Sequence, residues 1–278
     1  MLKISRLIRT VAELFHKKNH PFSHRFNLVL IFLKLELLTI FKIGKNKQEV
    51  TARIAGYKIS AFNYSSLLLL FKEIFITEEY YSELNYTRPQ ILDCGANIGM
   101  ATLYFKWRYP DAVINSFEPD AKTFAMLEKN IRQNNLSGVT LHNKAVGSYD
   151  GTITFYHDDQ TPGSLRMSVF ADRMPKTKTE VPVIRLAGFL EQYPADLAKI
   201  DIEGAEFDLF DDLSKTGAIK NVQEYFIEYH HKIEDQRSRM GEFLHFFESN
   251  QLEYQLTGTA TRFGEFQDFL LHARPESK

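Results

Sequence analysis

The sequence predicts an α/β fold: a mainly parallel sheet with helices on both faces. Two observations carry this. From residue 90 onward, short apolar runs of β type alternate with longer helical runs, the pattern of successive βα units. And the residues capable of chemistry cluster just after those apolar runs, where ligands sit in open α/β sheets. The size agrees, since 278 residues leave room for one large domain plus an extension. Hydrophobic content of 44% and charged content of 25% are those of an ordinary globular chain.

In chain order, residues 26–43 ("FNLVLIFLKLELLTIFKI") form the most apolar run. Lys34 and Glu36 interrupt its middle, which argues against a bilayer span. A helix packed on the core and a helix lying on a membrane surface both fit. Residues 50–62 alternate around Gly56 and read as a β-hairpin, and 65–84 as a helix entered through a serine cap. Strand 90–94, helix 98–108, strand 112–117, helix 120–134 and strand 138–142 follow. After a hairpin-like stretch at 151–157 and a polar loop at 158–180 come strand 181–184, helix 186–193, strand 197–202, helix 205–213 and strand 223–229. Helix 236–250 and strands 252–257 and 266–272 close the chain. This divides it into an N-terminal extension (1–49), a hairpin-and-helix region (50–87) and a ligand-binding domain (88–278).

Charge is unevenly spread. Residues 1–50 hold ten Lys or Arg against three Glu, and the rest holds 24 against 32. A basic arm on an acidic body predicts contact of residues 1–47 with an anionic membrane; nucleic acid is not expected. Cys94 is the only cysteine, so no disulfide forms within the chain. A reducing, cytoplasmic location fits, extending to the inner membrane face as a peripheral protein. At a strand end, Cys94 reads as a small buried thiol.

The first βα turn is "ILDCGANIG". Gly95 and Gly99 bracket it, but Asn97 holds the middle position where a dinucleotide turn has a glycine to admit a pyrophosphate. Glu118 ends the second strand, 19 residues beyond Gly99, placed for ribose hydroxyls. Pro119 follows it. Asn143, Lys144 and Ala145 follow the third strand. Asp201, Glu203 and Glu206 follow the fourth, and Glu228, His230 and His231 end the fifth. Singly these are weak signals. Asp201 could cap the next helix, and both histidines read most simply as solvated loop residues.

Together, "ILDCGANIG", "FEPD" followed by "LEKNIRQNN", and "LAKIDIEGAE" resemble the S-adenosylmethionine-dependent methyltransferases of the FkbM type, over roughly residues 60–272. The resemblance implies a Rossmann-like class I methyltransferase fold. It implies S-adenosylmethionine held by Asp93, Gly95, Asn97, Gly99, Glu118, Pro119 and Ala145. It also implies O-methylation of a sugar, glycan or polyketide-like metabolite. That nucleoside has no pyrophosphate, so Asn97 is tolerable. Asp201, Glu203 and His230 are the candidate catalytic residues, because a hydroxyl acceptor needs its proton removed. A divalent cation on the acidic cluster is the less favoured reading. Two rivals stand beside this one, a noncatalytic membrane-docked nucleoside-binding protein and an NAD-linked oxidoreductase.

Overall fold

The computed structural model describes residues 10–12, 21–44, 48–157, 177–231, 238–258 and 267–276. Most of the expected loop 158–180 and part of the basic arm (1–9, 13–20 and 45–47) fall outside them.

A seven-stranded sheet organises the described chain. In chain order its strands are β3 (Gln90–Cys94), β4 (Val113–Phe117), β5 (Val139–His142), β9 (Leu197–Ile200), β10 (Tyr225–His231), β11 (Leu252–Gly258) and β12 (Gln267–Pro275). Their order across the sheet is β11-β12-β10-β9-β3-β4-β5. Pairing is parallel from β5 through β10, and β12 runs antiparallel to both β10 and β11. This is the class I methyltransferase arrangement that the sequence predicts. The helices between are α3 (Met100–Arg108), α4 (Ala121–Gln133), α5 (Leu186–Gln192), α6 (Glu206–Thr216) and α7 (Met240–Ser249).

Side-chain alternation splits the interior into two cores. Ile91, Leu197 and Phe226 face one core; Leu92, Cys94, Ala198 and Ile227 face the other. The first core also takes in the N-terminal helix α1 (Phe22–Ile40), the hairpin strands β1 (Val50–Ile54) and β2 (Tyr57–Ala61), and helix α2 (Tyr64–Phe71). Apolar packing therefore runs continuously across the sequence divisions at 49 and 87.

The hairpin turns as expected, through Ala55 and Gly56, both with positive φ, which suits the right-handed twist of the strands. Its outer edge is sealed by amide side chains of α4. Asn130 accepts from Ser60 N (2.8 Å) and donates to Ser60 O (2.9 Å) and Ile98 O (2.8 Å); Asn134 accepts from Lys58 N (2.8 Å). The "IRQNN" stretch thus satisfies strand backbone that would otherwise be an open edge.

Three local expectations need correction. Helix α2 is capped by Asn63, whose side chain accepts from Ser66 N at 2.8 Å, so the amide and not a serine fills the cap. The helix also does not run on to 84. It passes into a π-helical turn, Lys72–Thr77, and stops at Glu78 with φ 57°. The wider turn lets the consecutive residues Ile74, Phe75 and Ile76 all be buried. And residues 151–157 are not a hairpin of their own. They form β7 (Gly151–His157), which pairs with β8 (Thr177–Arg185), while β6 (Ala145–Gly147) joins β8 from the other side as a separate small sheet.

Candidate functional site

The first βα turn owes its shape to three left-handed residues, Gly95 (φ 79°), Asn97 (φ 49°) and Gly99 (φ 90°). Asparagine is among the few side chains that adopt this conformation readily. Asn97 also accepts from Ile98 N at 2.8 Å, and its own N–H donates to Glu118 Oε2 at 2.9 Å. The other oxygen of Glu118 accepts from Asp120 N at 2.9 Å. The ends of β3 and β4 are thereby locked together through one buried carboxyl. Burial pushes that carboxyl up to about 8, against the pull of the Asp120 and Asn97 N–H groups.

This turn forms one wall of a cavity of about 490 Å³, within the range of small-molecule sites. Gly95, Asn97, Glu118, Pro119 and Ala145 line it, as does Lys144. Asp93 and Gly99 are not on the lining. Asp93 is fully buried beneath the turn, accepting from Thr102 Oγ1 at 2.6 Å with Lys199 Nζ at 3.7 Å. Gly99 starts α3 behind it. The small sheet supplies the facing wall through Val146, Ile153, Phe155 and Val183.

Part of the cavity lining, next to the turn, is acidic. Asp201, Glu203, Glu228, His230 and Asp268 meet there. His230 Nε2 lies 3.3 Å from Glu203 Oε2, 3.8 Å from Asp268 Oδ1 and 4.0 Å from Asp201 Oδ1. Its Nδ1 is 3.0 Å from Glu206 Oε1, the oxygen that also accepts from Ile202 N and Gly204 N. Glu206 thus caps the turn before α6. Asp201 does not cap α6, whose N-cap position is Ala205 with no side-chain cap hydrogen bond; Glu203 (φ 56°) and Gly204 (φ 113°) turn the chain between them. Left-handed backbone at a residue such as Glu203 costs about 1 kcal/mol or more and is found mainly where a site requires it.

Neither histidine is a solvated loop residue. β10 extends through His231, and both are buried. Alternation sends Glu228 and His230 to the cavity and His231 to the opposite face with Tyr229, ring centroids 6.0 Å apart. Burial of His230 opposes its charge, but Glu206 and then Glu203 outweigh that and raise it to about 10. Burial, followed by Asp201, raises Glu228 well above its ordinary value.

Three participants escaped the sequence reading. Lys199 sits in a strand whose four residues are all buried. It pairs across the sheet with Asp93, reaches Asp201 Oδ2 at 3.1 Å and donates to Gly95 O at 2.6 Å. A lysine inside a fully apolar strand was the available signal. Glu73, which the π-helical turn carries, and Asp268 of β12 also line the cavity. Burial, then Glu79 and Asp201, push Glu73 up to about 8. No local sequence feature marks either residue. Cys94 is buried as expected, and burial pushes its thiol up, so it is inert.

Asp201, Glu203 and His230 each offer a donor atom within 4.8 Å of the others, so the described residues could hold a divalent cation there. Without one, the imidazolium balances the carboxylates. This has a consequence for stability. Because His230 is raised in the folded state, its contribution is complete below pH 6.5 and is lost as pH climbs through about 10. The thermal midpoint of the ligand-free protein is therefore expected to fall between pH 6.5 and 10, with Glu206→Gln flattening the slope. A profile equally steep in that variant would refute the pairing.

Comparison with known proteins matches the methyltransferase FkbM domain over residues 93–256, more than half the chain. Methyltransferase 1 of Beauveria bassiana is 34% identical over 158 residues, covering 50% of this chain and 64% of that protein. Methyltransferase sdnD of Sordaria araneosa is 31% identical over 189 residues, covering 56% and 71%. The 31-O-demethyl-FK506 methyltransferase FkbM of Streptomyces tacrolimicus is 31% identical over 107 residues, covering 37% and 41%. With the strand order, the glycine turn and the acid–imidazole cluster, the match makes this chain a member of the FkbM methyltransferase domain family.

Proposed function

We propose that this chain binds S-adenosylmethionine against the Gly95–Gly99 turn and transfers its methyl group to a hydroxyl of a sugar or polyketide-like metabolite. One observation carries the reading: a single cavity is lined both by Glu118 and the turn and by the Asp201–Glu203–His230 cluster. When bound, S-adenosylmethionine supplies an electrophilic methyl on a positively charged sulfur. The donor set suits it. Asp201, Glu203 and Asp268 offer carboxylates to a cationic sulfonium, and Asn97 holds the turn position where a dinucleotide's pyrophosphate needs a glycine. That weighs against the NAD-linked alternative. Oxygen as acceptor is supported by the name of the Streptomyces relative.

Within the cluster the roles separate. An imidazolium held by Glu206 has no site for a further proton near neutral pH, so His230 orients Glu203 and Asp201 as their counter-ion. Those two carboxylates are left to take the acceptor's hydroxyl proton. Glu228, whose burial favours the neutral carboxyl, lines the same cavity beside them. Holding nucleophile and methyl in line, shielded from water by the two sheets, is the remaining contribution.

Binding is testable without knowing the acceptor. Glu118→Ala removes the carboxyl group that faces the ribose position and accepts from the Asn97 N–H. It is expected to weaken S-adenosylmethionine by about 1–3 kcal/mol, read by calorimetry. Unchanged affinity would remove Glu118 from the site. Formation of S-adenosylhomocysteine from S-adenosylmethionine in the presence of hydroxylated acceptors separates an enzyme from a binding protein.

A further inference from the structure

The side of helix α1 turned away from the core is mainly apolar, with Ser23, Asn27 and Lys34 as its exposed polar residues. Leu28, Val29, Phe32 and Leu35 are buried against the core, while Phe22, Phe26, Leu30, Leu37 and Phe41 are exposed. Their steps of four, four, seven and four residues place them along one side of a helix. Exposure runs from 48% at Phe26 to 69% at Phe41. Of the twelve large apolar side chains exposed among the described residues, seven lie between 22 and 43, so exposed apolar surface is concentrated on this segment. Such a concentration of exposed apolar side chains on one helix marks an interaction surface.

We propose that this face docks the protein on an anionic phospholipid bilayer, with α1 lying in the headgroup plane. Two features favour lipid over a protein partner. Lys34 is exposed and fills the missing step of the row, between Leu30 and Leu37; Lys42 follows Phe41. A twofold pairing of two copies about the middle of the row would press two Lys34 ammoniums into one desolvated seam. At a bilayer the lysine stem lies along the acyl boundary and its ammonium reaches the lipid phosphates. The second feature is charge: ten Lys or Arg against three Glu in residues 1–50, on a body that is net acidic, so attraction to an anionic surface acts at this end. No helix among the described residues is long and apolar enough to cross a membrane. The proposal is independent of the methyl-transfer reading.

Cosedimentation of the full chain with phosphatidylcholine vesicles, with and without about one third phosphatidylglycerol, tests it. Binding is expected to the anionic vesicles at low salt and to be lost near 1 M salt, where the Debye length is about 3 Å. The exposed double substitution Phe26→Ser with Leu37→Ser, and separately Lys34→Glu, should each lower partitioning by roughly tenfold or more, with the thermal midpoint unchanged. Equal binding to neutral vesicles in high salt would overturn docking in favour of insertion. Failure to sediment, together with a dimer in velocity sedimentation that Phe26→Ser dissociates, would assign the face to a second copy. Failure to sediment as a monomer would also overturn the proposal.

Discussion

Replacing Gly95 by alanine is expected to abolish S-adenosylmethionine binding and to lower the thermal midpoint more than any other single change in the turn. A Cβ built there lies 1.8 Å from the carbonyl oxygen of Asp201. That oxygen belongs to backbone pinned on its own side, since Asp201 N donates to Cys94 O at 3.1 Å, while Gly95 N donates to Phe117 O at 3.0 Å. Neither strand end can move without breaking the sheet contact that brings the turn to the cluster. Left-handed strain adds about 1–2 kcal/mol, and overpacking typically about 1–3 kcal/mol more. Two companions isolate the cause. In Gly99→Ala the new Cβ meets the Leu127 side-chain tip at 2.6 Å, which can give; in Gly217→Ala (φ 76°) nothing lies within 4 Å. The order of damage should be Gly95, then Gly99, then Gly217, by differential scanning fluorimetry and calorimetry. Equal effects at Gly95 and Gly217 would mean that strain alone, and not the contact with Asp201, decides.

Asp201→Asn is expected to leave S-adenosylmethionine affinity within a few-fold while lowering turnover by roughly 100-fold or more, the scale of a lost general base. Lys199 keeps Asp93 and the Gly95 carbonyl as partners in this variant, so the turn retains its support. Turnover is to be measured in excess EDTA as well as without it. Retention of wild-type activity in EDTA argues against a cation on Asp201, Glu203 and His230. Full activity of Asp201→Asn on the acceptor would transfer the proton-accepting role to Glu203, the carboxylate nearest His230 Nε2.

Both expectations draw on features of different legibility. The glycine turn could be read from nine consecutive residues, because its shape depends on which of them tolerate positive φ, and Asn97 is one that does. Glu118 was legible from its spacing to Gly99, since strand and helix lengths in a βα unit fix where the next strand ends. The state of His230 was not legible. The expected strand, 223–229, stopped at 229, and two further residues in β10 turned a loop histidine into a buried one facing Glu206. The mistaken hairpin at 151–157 has a similar cause: alternation shows that a segment is a strand but not which strand it pairs with.

By itself, then, the sequence determined the succession of βα units, the strained turn with its acidic neighbour, and the membership that "DCGANIG" and "KIDIEGAE" signal. These follow from backbone preference and periodicity, which act between residues close in the chain. The tertiary structure decided how Glu73, Lys199, Glu228 and Asp268 converge on Asp201 and His230, and hence which groups carry charge. Those residues come from segments up to 195 positions apart, joined only because the sheet order sets β9 between β3 and β10 and folds β12 back beside them. Charge state depends on burial and on neighbours across that sheet, and neither is a property of any stretch of sequence.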